Sequence, residues 1–253
     1  MRVLSWNCRG LGSPSAVLQC PKKAQEYKPK IMFLMETKLN KNKGRGILER
    51  CSFLDGWEVP KEGFSGGLFL GWMPNLKVNI QHGSKNLIYV DLADTSGNPL
   101  SISFIYGHPN LAKREEVWVE LKLVRSISHR NWLCIGDFNQ LLSHEDKFGF
   151  KNSRNEGAEA SRQTLFKLEL CELEATGQKY TWMNEHEDDS FIMERLDRAF
   201  ASVEWINSHP HYALRNQPIL RSDHGSIVLD FELRQPSRKR PFKLQGLSRS
   251  TQV

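Results

Sequence analysis

Asp137 and Asn139 are the residues of this sequence whose types and spacing most directly suggest chemistry. They follow an apolar run, residues 132–135, that ends at Gly136, a pattern typical of a buried strand entering a turn. In an extended backbone, side chains two positions apart point to the same side, where a carboxylate and an amide can share a metal ion, a phosphate or an attacking water. The alternative is an Asx turn, in which both side chains bond only local backbone, and turn statistics favour it for this stretch alone.

Other polar residues stand at or just beyond the ends of apolar, strand-like runs. Taken singly they have ordinary explanations: Glu36 fits a surface turn, Tyr106 a half-buried aromatic, and Asp197 an ion pair with the neighbouring arginines. Together they favour a site, because strand ends on one side of a layered fold converge on one place. The residues of this kind are Asn7, Glu36, Tyr106, Asp137, Asn139, Asp197, Asp223 and His224.

This set of side chains suits the cleavage of a phosphodiester bond. A lone glutamate such as Glu36 offers the hard oxygen ligand that Mg²⁺ accepts while it keeps several of its waters. The Asp and Asn side chains can position water and phosphate, and His224 can transfer a proton with an acid available to orient its ring.

The elements that must position these residues follow from the hydrophobic pattern of the chain. Strands are predicted before Asp137 and at residues 2–6, 31–35, 67–72, 77–81, 87–92, 100–106, 179–183, 195–201 and 227–233. Helices are predicted at residues 15–28, 43–52, 112–127, 158–174 and 203–208, and a long polar loop at 143–157. The helix at 158–174 is expected to turn inward Leu165, Phe166, Leu168 and Leu173. Strand-rich halves with helices between them predict two packed sheets with helices outside.

Composition is that of a globular protein from a reducing compartment. Hydrophobic residues make up 39% of the chain, with seven Trp and thirteen Phe, which is enough for a sizeable core. The five Cys form no CxxC pair and are odd in number, which argues against a disulfide framework or a zinc site. The longest apolar run near the start, residues 31–35, is far too short to span a membrane. We therefore expect an intracellular protein with no membrane partner.

Several motifs, in this order along the chain, resemble those of a known superfamily. Those that resemble the endonuclease/exonuclease/phosphatase superfamily are Ser5-Trp6-Asn7, Met35-Glu36-Thr37, Gly136-Asp137-Phe138-Asn139, Arg195-Leu196-Asp197 and Ser222-Asp223-His224. Those that look like the endonuclease domain of plant LINE-type (non-LTR) retrotransposons are Trp6-Asn7-Cys8-Arg9-Gly10-Leu11-Gly12, Phe33-Leu34-Met35-Glu36-Thr37-Lys38, Tyr106-Gly107-His108-Pro109, Tyr180-Thr181-Trp182-Met183-Asn184 and Glu194-Arg195-Leu196-Asp197-Arg198-Ala199. The resemblance covers about residues 1–233.

The resemblance implies a fold and a metal site. The fold would be α/β (α+β), a four-layer α/β/β/α sandwich of two mainly antiparallel sheets flanked by helices. Glu36 would hold Mg²⁺ or Mn²⁺, with Asn7 nearby and Asp223 supporting the metal site. No small-molecule cofactor is expected.

The resemblance also implies roles in catalysis. Asp137 would position the attacking water or protonate the leaving oxygen, Asn139 would hold the scissile phosphate, and Tyr106 would bond that phosphate. His224 would act as a base or as a phosphate stabiliser, oriented by Asp197. The residues expected to contact the substrate are Asn7, Tyr106, Asn139, Trp182 and Asn184.

The function implied is that of a metal-dependent DNA endonuclease that nicks one strand and leaves a 3′ hydroxyl, as in target-primed retrotransposition. Such a protein would act on DNA as a monomer in the nucleus. The alternatives are another phosphodiesterase or phosphatase of the superfamily, acting on abasic DNA, RNA tails or inositol phosphates, and an inactive retroelement remnant. Two residues depart from the pattern: Arg9 stands where some relatives carry an acid that could hold a second metal, and Gln140 where plant LINE domains usually have Glu.

The entire net charge of +6 lies in the last twenty residues. Residues 234–253 contain six Lys or Arg and no acid, whereas residues 1–233 carry 29 basic and 29 acidic residues. We therefore predict a domain at 1–233 followed by a basic, disordered tail at 234–253. Such a tail can bind DNA phosphates without reading sequence, or it can be the frayed start of a downstream segment. The polar loop at 143–157, with Lys147, Lys151 and Arg154, is also expected to reach the DNA backbone.

Overall fold

A computed structural model describes residues 1–93, 97–149, 156–184, 186, 190–220 and 222–233. The predicted tail at 234–253, together with Lys151 and Arg154 of the predicted loop, lies outside these residues. The helices are α1 (Pro14–Val17), α2 (Gln19–Tyr27), α3 (Arg45–Arg50), α4 (Arg114–Arg125), α5 (Ala158–Lys167) and α6 (Val203–Ser208). The strands are β1 (Arg2–Asn7), β2 (Ile31–Met35), β3 (Asp55–Val59), β4 (Leu68–Trp72), β5 (Asn79–Gly83), β6 (Leu87–Ala93), β7 (Pro99–Tyr106), β8 (Trp132–Asp137), β9 (Lys147–Gly149), β10 (Leu170–Glu172), β11 (Ala175–Gly177), β12 (Trp182–Met183), β13 (Ile192–Glu194), β14 (Asp197–Ser202), β15 (Ala213–Asn216) and β16 (Ile227–Asp230).

Two large sheets form the centre of the molecule. The first has the strand order β11-β15-β16-β1-β2-β4-β3, and the second has the order β10-β14-β8-β7-β6-β5. Most neighbours are antiparallel, but β1 and β2 are parallel, and so are β7 and β8 and, at one edge of the first sheet, β11 and β15. Parallel neighbours end at the same edge of a sheet, so each sheet brings two strand ends together there.

The two sheets pack face to face, and helices cover their outer faces. Along β2 the side chains alternate: Phe33 lies in the core between the sheets, whereas Met32 and Leu34 pack under the helices that contribute Cys20 and Ile47. The outer face of the second sheet packs in the same way against α4 and α5. Strands covered on both faces read as continuous apolar runs, which is why the sequence shows them so clearly. The predicted four-layer α/β/β/α sandwich is confirmed.

The helix predicted at 158–174 is shorter than expected. It ends at Lys167, because Glu169 adopts a left-handed conformation with φ of 57°, and the chain then reverses into β10. The predicted inward position of Phe166 is wrong, since 84% of this residue is exposed. Leu168 and Leu173 are buried as predicted, but they lie beyond the helix.

The segment predicted as a polar loop at 143–157 contains regular structure. A 3₁₀ helix, His144–Asp146, leads into β9, which pairs with β13 in a third, small sheet of order β12-β13-β9. Lys147, expected to reach DNA, lies within β9 and pairs instead with Glu194 at 3.0 Å. That expectation is therefore wrong for Lys147, because the strand pairing turns its side chain toward a neighbouring strand.

Other boundaries differ from the sequence prediction by a few residues. The helix predicted at 15–28 is divided at Leu18 into α1 and α2, and the strand predicted at 77–81 occupies 79–83. The strand predicted at 179–183 is reduced to β12, and β3, β11, β13 and β15 were not predicted. Among the described residues, no helix combines the length and apolarity required to cross a lipid bilayer.

Candidate active site

The predicted site residues meet where strand ends of the two sheets face each other. The register of the second sheet places Tyr106 and Asp197 opposite Asp137 on either side of β8. Several hydrogen bonds then cross between the sheets. The Asn7 side-chain amide donates to Asp137 Oδ2 at 3.0 Å, and the Tyr106 hydroxyl donates to Glu36 Oε1 at 2.7 Å. The site is therefore built across the sandwich, and packing of the sheets positions it.

The backbone around the site adopts conformations that are uncommon for residues with side chains. Arg9, Glu36 and Asn139 have φ values of 52°, 50° and 49°, all in the left-handed region. Such conformations persist only where the surroundings enforce them, and they cluster at functional sites. Gly107 permits a further close approach, because an added Cβ would lie 2.0 Å from the carbonyl oxygen of Phe138.

Asp137 and Asn139 form the local turn and also take part in the site. Asp137 Oδ1 accepts the backbone N–H of Asn139 at 2.8 Å, which is the Asx turn expected from turn statistics. Asp137 Oδ2 accepts hydrogen bonds from the amides of Asn7 and Asn139 at 3.0 and 3.1 Å. The Asn139 amide also donates to the carbonyl of Gly107 at 2.8 Å. The Asx turn is therefore present and fixes the direction of the carboxylate, whereas the predicted sharing of a metal ion, a phosphate or a water by the two side chains stays a prediction.

His224 lies between two carboxylates in the interior of the site. Its Nδ1 donates to Asp197 Oδ2 at 2.9 Å, and its Nε2 lies 3.8 Å from Asp137 Oδ2 and 3.4 Å from the amide nitrogen of Asn7. The bond to Asp197 fixes the ring orientation, as the sequence predicts, and directs Nε2 toward Asp137. All three titratable side chains are buried.

The environment of His224 and Asp137 moves both pKa values toward neutrality or above. Burial by itself would lower the pKa of His224, but the charges of Asp197 and Asp137 outweigh burial and raise this pKa to about 9. Burial is the largest cause that raises the pKa of Asp137 to about 6, with the charge of His224 acting in the opposite direction. Between about pH 6 and pH 9, an imidazolium and a carboxylate therefore stand side by side.

Glu36 and Asp223 form a second acidic group, and Arg9 lies between them. The Arg9 guanidinium contacts Glu36 Oε1 at 3.2 Å through Nη1 and Asp223 Oδ2 at 3.0 Å through Nε. Burial would raise the pKa of Glu36, but the hydrogen bond from Tyr106 and the charges of Arg9 and Lys38 hold that pKa below its usual value. Glu36 is therefore ionised at neutral pH.

The residues around Arg9 fit a divalent metal ion. Glu36 and Asp223 offer carboxylate oxygens, and the side-chain oxygen of Asn7 accepts only the weak backbone hydrogen bond from Arg9 at 3.2 Å among the contacts described. Oxygen donors of this kind are what Mg²⁺ and Mn²⁺ prefer. The guanidinium that lies between the carboxylates demonstrates that this position attracts a cation.

A second set of donor atoms is less suited to such an ion. Among the described residues, atoms of Asp137, Asp197 and His224 lie within 4.8 Å of one another. In this set Asp197 Oδ2 and His224 Nδ1 bond each other, and Asp137 Oδ2 accepts from Asn7, whereas Asp197 Oδ1 is buried without a hydrogen-bond partner in the described part of the chain. An imidazole nitrogen is a poorer ligand for Mg²⁺ than oxygen. We therefore place the metal at Glu36 and Asp223 in the proposal below.

Trp182 and Asn184 occupy different positions relative to the site. Trp182 Nε1 donates to Asp223 Oδ2 at 2.9 Å, so this residue holds a carboxylate of the site in place. Asn184 uses its amide within a neighbouring turn, where it donates to the carbonyl of Ser190 at 2.8 Å and accepts the N–H of Ile192 at 2.7 Å. Its predicted contact with substrate stays a prediction.

Two further residues support the site and were not predicted. Ser222 Oγ donates to the carbonyl of Asn7 at 3.0 Å, and the indole N–H of Trp6 donates to the carbonyl of His224 at 3.2 Å. These bonds tie the segment before β16 to the end of β1. Trp6 and Ser222 belong to the sequence motifs, and this membership was the one signal in the sequence that could have identified them. Their contacts could not be predicted, because they join segments far apart in the chain.

Comparisons with known proteins agree with this geometry. The model of the Endonuclease/Exonuclease/phosphatase family matches residues 4–224. The endonuclease domain of TRAS1, a telomere-specific non-LTR retrotransposon, has the same fold, with a TM-score of 0.70, 16% identity, and coverage of 92% of this chain and 99% of that chain.

Two further solved structures share this fold. A 3′ phosphatase from Neisseria bound to a product DNA hairpin has a TM-score of 0.68 and 16% identity, covering 92% of this chain and 100% of that chain. An AP endonuclease from Leishmania major has a TM-score of 0.67 and 16% identity, covering 90% of this chain and 86% of that chain. No curated protein matches the sequence.

Proposed function

The chain belongs to the endonuclease/exonuclease/phosphatase family, whose members are hydrolases of phosphate esters and generally depend on a divalent metal ion, and from this we propose that it is a Mg²⁺-dependent DNA endonuclease. In this proposal the enzyme nicks one strand and leaves a 3′ hydroxyl. One observation carries the proposal. The buried His224–Asp137 pair and the carboxylates of Glu36 and Asp223 are brought together where the two sheets meet.

In the proposed reaction, water attacks phosphorus and the bond from phosphorus to the 3′ oxygen breaks. Asp137, ionised above about pH 6, is placed to take a proton from the water, and the amides of Asn7 and Asn139 hold its carboxylate in position. The imidazolium of His224 stabilises the negative charge that develops on the phosphate. A divalent ion held by Glu36 and Asp223 would add positive charge at the same phosphate. The departing 3′ oxygen takes up a proton from solvent and Asp137 returns its proton to solvent, so the products are a 5′ phosphate and a 3′ hydroxyl.

The surface beside the site supports a polymeric substrate. A groove of about 230 Å³ runs from Tyr106 and is lined in part by Lys85, Lys113 and His108. Phe64 lies in the turn between Glu62 and Ser65, which line this groove, and 95% of its surface is exposed, so its ring can stack on a base. Lys85 and Lys113 place two cations in this groove, where they can bind the phosphates of a nucleic-acid backbone without reading its sequence.

Nicking of supercoiled plasmid, with and without EDTA, tests the proposal. We expect conversion to the open circle in Mg²⁺ and none in excess EDTA, and we expect a polymerase to extend the nicks without prior phosphatase treatment, because the 3′ end is a hydroxyl. Cleavage of an oligonucleotide carrying one abasic site and release of phosphate from inositol polyphosphates are measured in parallel. Faster turnover of either compound than of intact DNA would refute the proposed substrate.

The exposed ring of Phe64 provides a second prediction. We expect Phe64→Ala to raise KM for DNA while kcat changes little, because the ring contacts the substrate away from the reacting phosphate. Loss of one base–aromatic stack costs about 1–3 kcal/mol, or roughly 5- to 150-fold in KM. Steady-state nicking of a fluorescent duplex measures both constants.

Phe166 supplies the matched control, because it is also a highly exposed phenylalanine, with 84% of its surface accessible, but lies on α5. Phe166→Ala should nick with wild-type KM. Equal effects of the two substitutions would indicate a general loss of surface hydrophobicity and would exclude a base contact at Phe64.

A further inference from the structure

Arg9 is the residue of the site whose contacts the proposed reaction leaves unexplained. Its Nη1 lies 3.2 and 3.4 Å from the two carboxylate oxygens of Glu36, and its Nε lies 3.0 Å from Asp223 Oδ2. One guanidinium therefore engages both oxygens of the first carboxylate and one oxygen of the second. These are the oxygens that we assign to the metal ion.

A divalent ion and this guanidinium make incompatible demands on the carboxylates. Mg²⁺ requires oxygen ligands at about 2.0–2.1 Å in near-octahedral geometry, so the lone pairs must point at the ion. In the structure both oxygens of Glu36 accept hydrogen bonds from Arg9, and Asp223 Oδ2 forms an ion pair with the Nε of Arg9. The same oxygen atoms cannot satisfy both partners fully, and two cations at this distance would also repel each other.

The side chain of Arg9 is able to leave, although its backbone is fixed. Its backbone N–H donates to Asn7 Oδ1 at 3.2 Å, and its φ of 52° places the residue in a tight turn between β1 and α1. In contrast, 48% of the side chain is exposed, so it can swing into solvent or toward a phosphate without disturbing packed neighbours. The Nζ of Lys38, by comparison, lies 3.8 Å from Glu36 Oε2, farther than the atoms of Arg9.

We propose that Arg9 is a built-in competitor of the metal ion: its guanidinium closes the Glu36–Asp223 site in the metal-free chain and must release both carboxylates before a divalent ion binds. This inference rests on the metal site of the proposed function. Arg9 would thereby lower the affinity of the site for the metal ion. A divalent ion would bind only where its free concentration is high enough to displace the arginine.

Titration of the full chain with Mn²⁺, followed by calorimetry or by the electron paramagnetic resonance of the free ion, tests this competition directly. We expect Arg9→Gln to bind Mn²⁺ about tenfold more tightly than the wild type, because charge-assisted hydrogen bonds to carboxylates no longer oppose binding. Gln carries the same Cβ as Arg, so both residues meet the left-handed backbone with similar strain. Lys38→Gln is the matched control and should raise affinity by a few-fold at most, because it removes a nearby charge that does not join the two carboxylates.

Thermal unfolding gives a second readout that does not depend on activity. In EDTA, Arg9→Gln should melt below the wild type, because Glu36 and Asp223 lose the cation between them. Saturating Mn²⁺ should then raise the melting temperature of Arg9→Gln by more than that of the wild type, because tighter binding adds more stability to the folded state. A variant that fails to fold in EDTA but folds in Mn²⁺ would support the same conclusion.

The outcomes separate this inference from the proposed function. Suppose that the wild type binds Mn²⁺ and that Glu36→Gln does not. Unchanged or weaker binding by Arg9→Gln would then overturn the proposed competition and leave the metal site intact. Equal gains in Arg9→Gln and Lys38→Gln would overturn it as well, since general charge would then explain both. Failure of both the wild type and Arg9→Gln to bind Mn²⁺ would refute the metal site itself.

Discussion

Replacing His224 by alanine should slow nicking by about 10²–10³-fold at pH 7.5, the range typical for removal of one preorganised group that stabilises charge in the transition state. The substitution removes the imidazolium that stands 3.8 Å from Asp137 Oδ2 in the buried part of the site. Its effect should appear in kcat, because the ring lies too deep to contribute much to DNA affinity. Single-turnover nicking of a labelled duplex, with enzyme in excess, measures this loss.

Asp197→Asn should slow nicking by part of the factor expected for His224→Ala. It should also change the pH dependence of the nicking rate. The wild-type rate should rise as Asp137 ionises near pH 6 and fall as His224 loses its proton near pH 9. Removal of the Asp197 charge lowers the pKa of His224, because this charge is the largest of the causes that raise it. The descending limb of the pH profile should therefore move to lower pH in this variant.

The control for both substitutions is His211→Ala, because His211 is exposed and its hydrogen bond to Leu233 involves only backbone. This variant should cut at the wild-type rate over the whole pH range. Wild-type rates in both His224→Ala and Asp197→Asn would contradict the proposed chemistry and would give these residues a structural role only.

The identities of the site residues were predictable because of how the central strands are built. Strands covered on both faces, such as β1, β2 and β8, are largely apolar, so a polar side chain at or just beyond the end of each of them stands out in the sequence. The pairing of His224 with Asp197 could also be anticipated from the motifs, and the 2.9 Å hydrogen bond agrees with it.

Other features depend on tertiary contacts that a local pattern does not encode. The three-residue strands β9 and β13 exist only because they pair with each other, and a run of three residues carries no measurable period. The helical period of leucines continues past Lys167, so the sequence hides the turn at Glu169. Similarly, Arg9 stood out as a departure from the family pattern, but its bridging position requires Glu36 and Asp223 to come from distant segments.

Replacing Glu36 by glutamine should abolish nicking at physiological Mg²⁺. A metal ion at a phosphate contributes several kcal/mol to stabilising the transition state, which corresponds to a loss of roughly 10³-fold or more when its carboxylate ligand becomes a neutral amide. The fold should survive, because the glutamine oxygen can still accept the hydrogen bond from Tyr106, and the melting temperature in EDTA measures this. Plasmid nicking over a range of Mg²⁺ and Mn²⁺ concentrations measures the loss.

Glu49→Gln is the matched control for Glu36→Gln, because it removes one carboxylate from the exposed surface of α3, where Glu49 pairs with Arg45 at 3.3 Å. This variant should nick at the wild-type rate. High Mn²⁺ should restore part of the activity of Glu36→Gln, because Asp223 would still offer a carboxylate to the ion. Undiminished nicking by Glu36→Gln at low Mg²⁺, or by the wild type in excess chelator, would mean that Glu36 binds no catalytic metal. Its ion pair with Arg9 would then be a structural contact that closes the end of the sandwich.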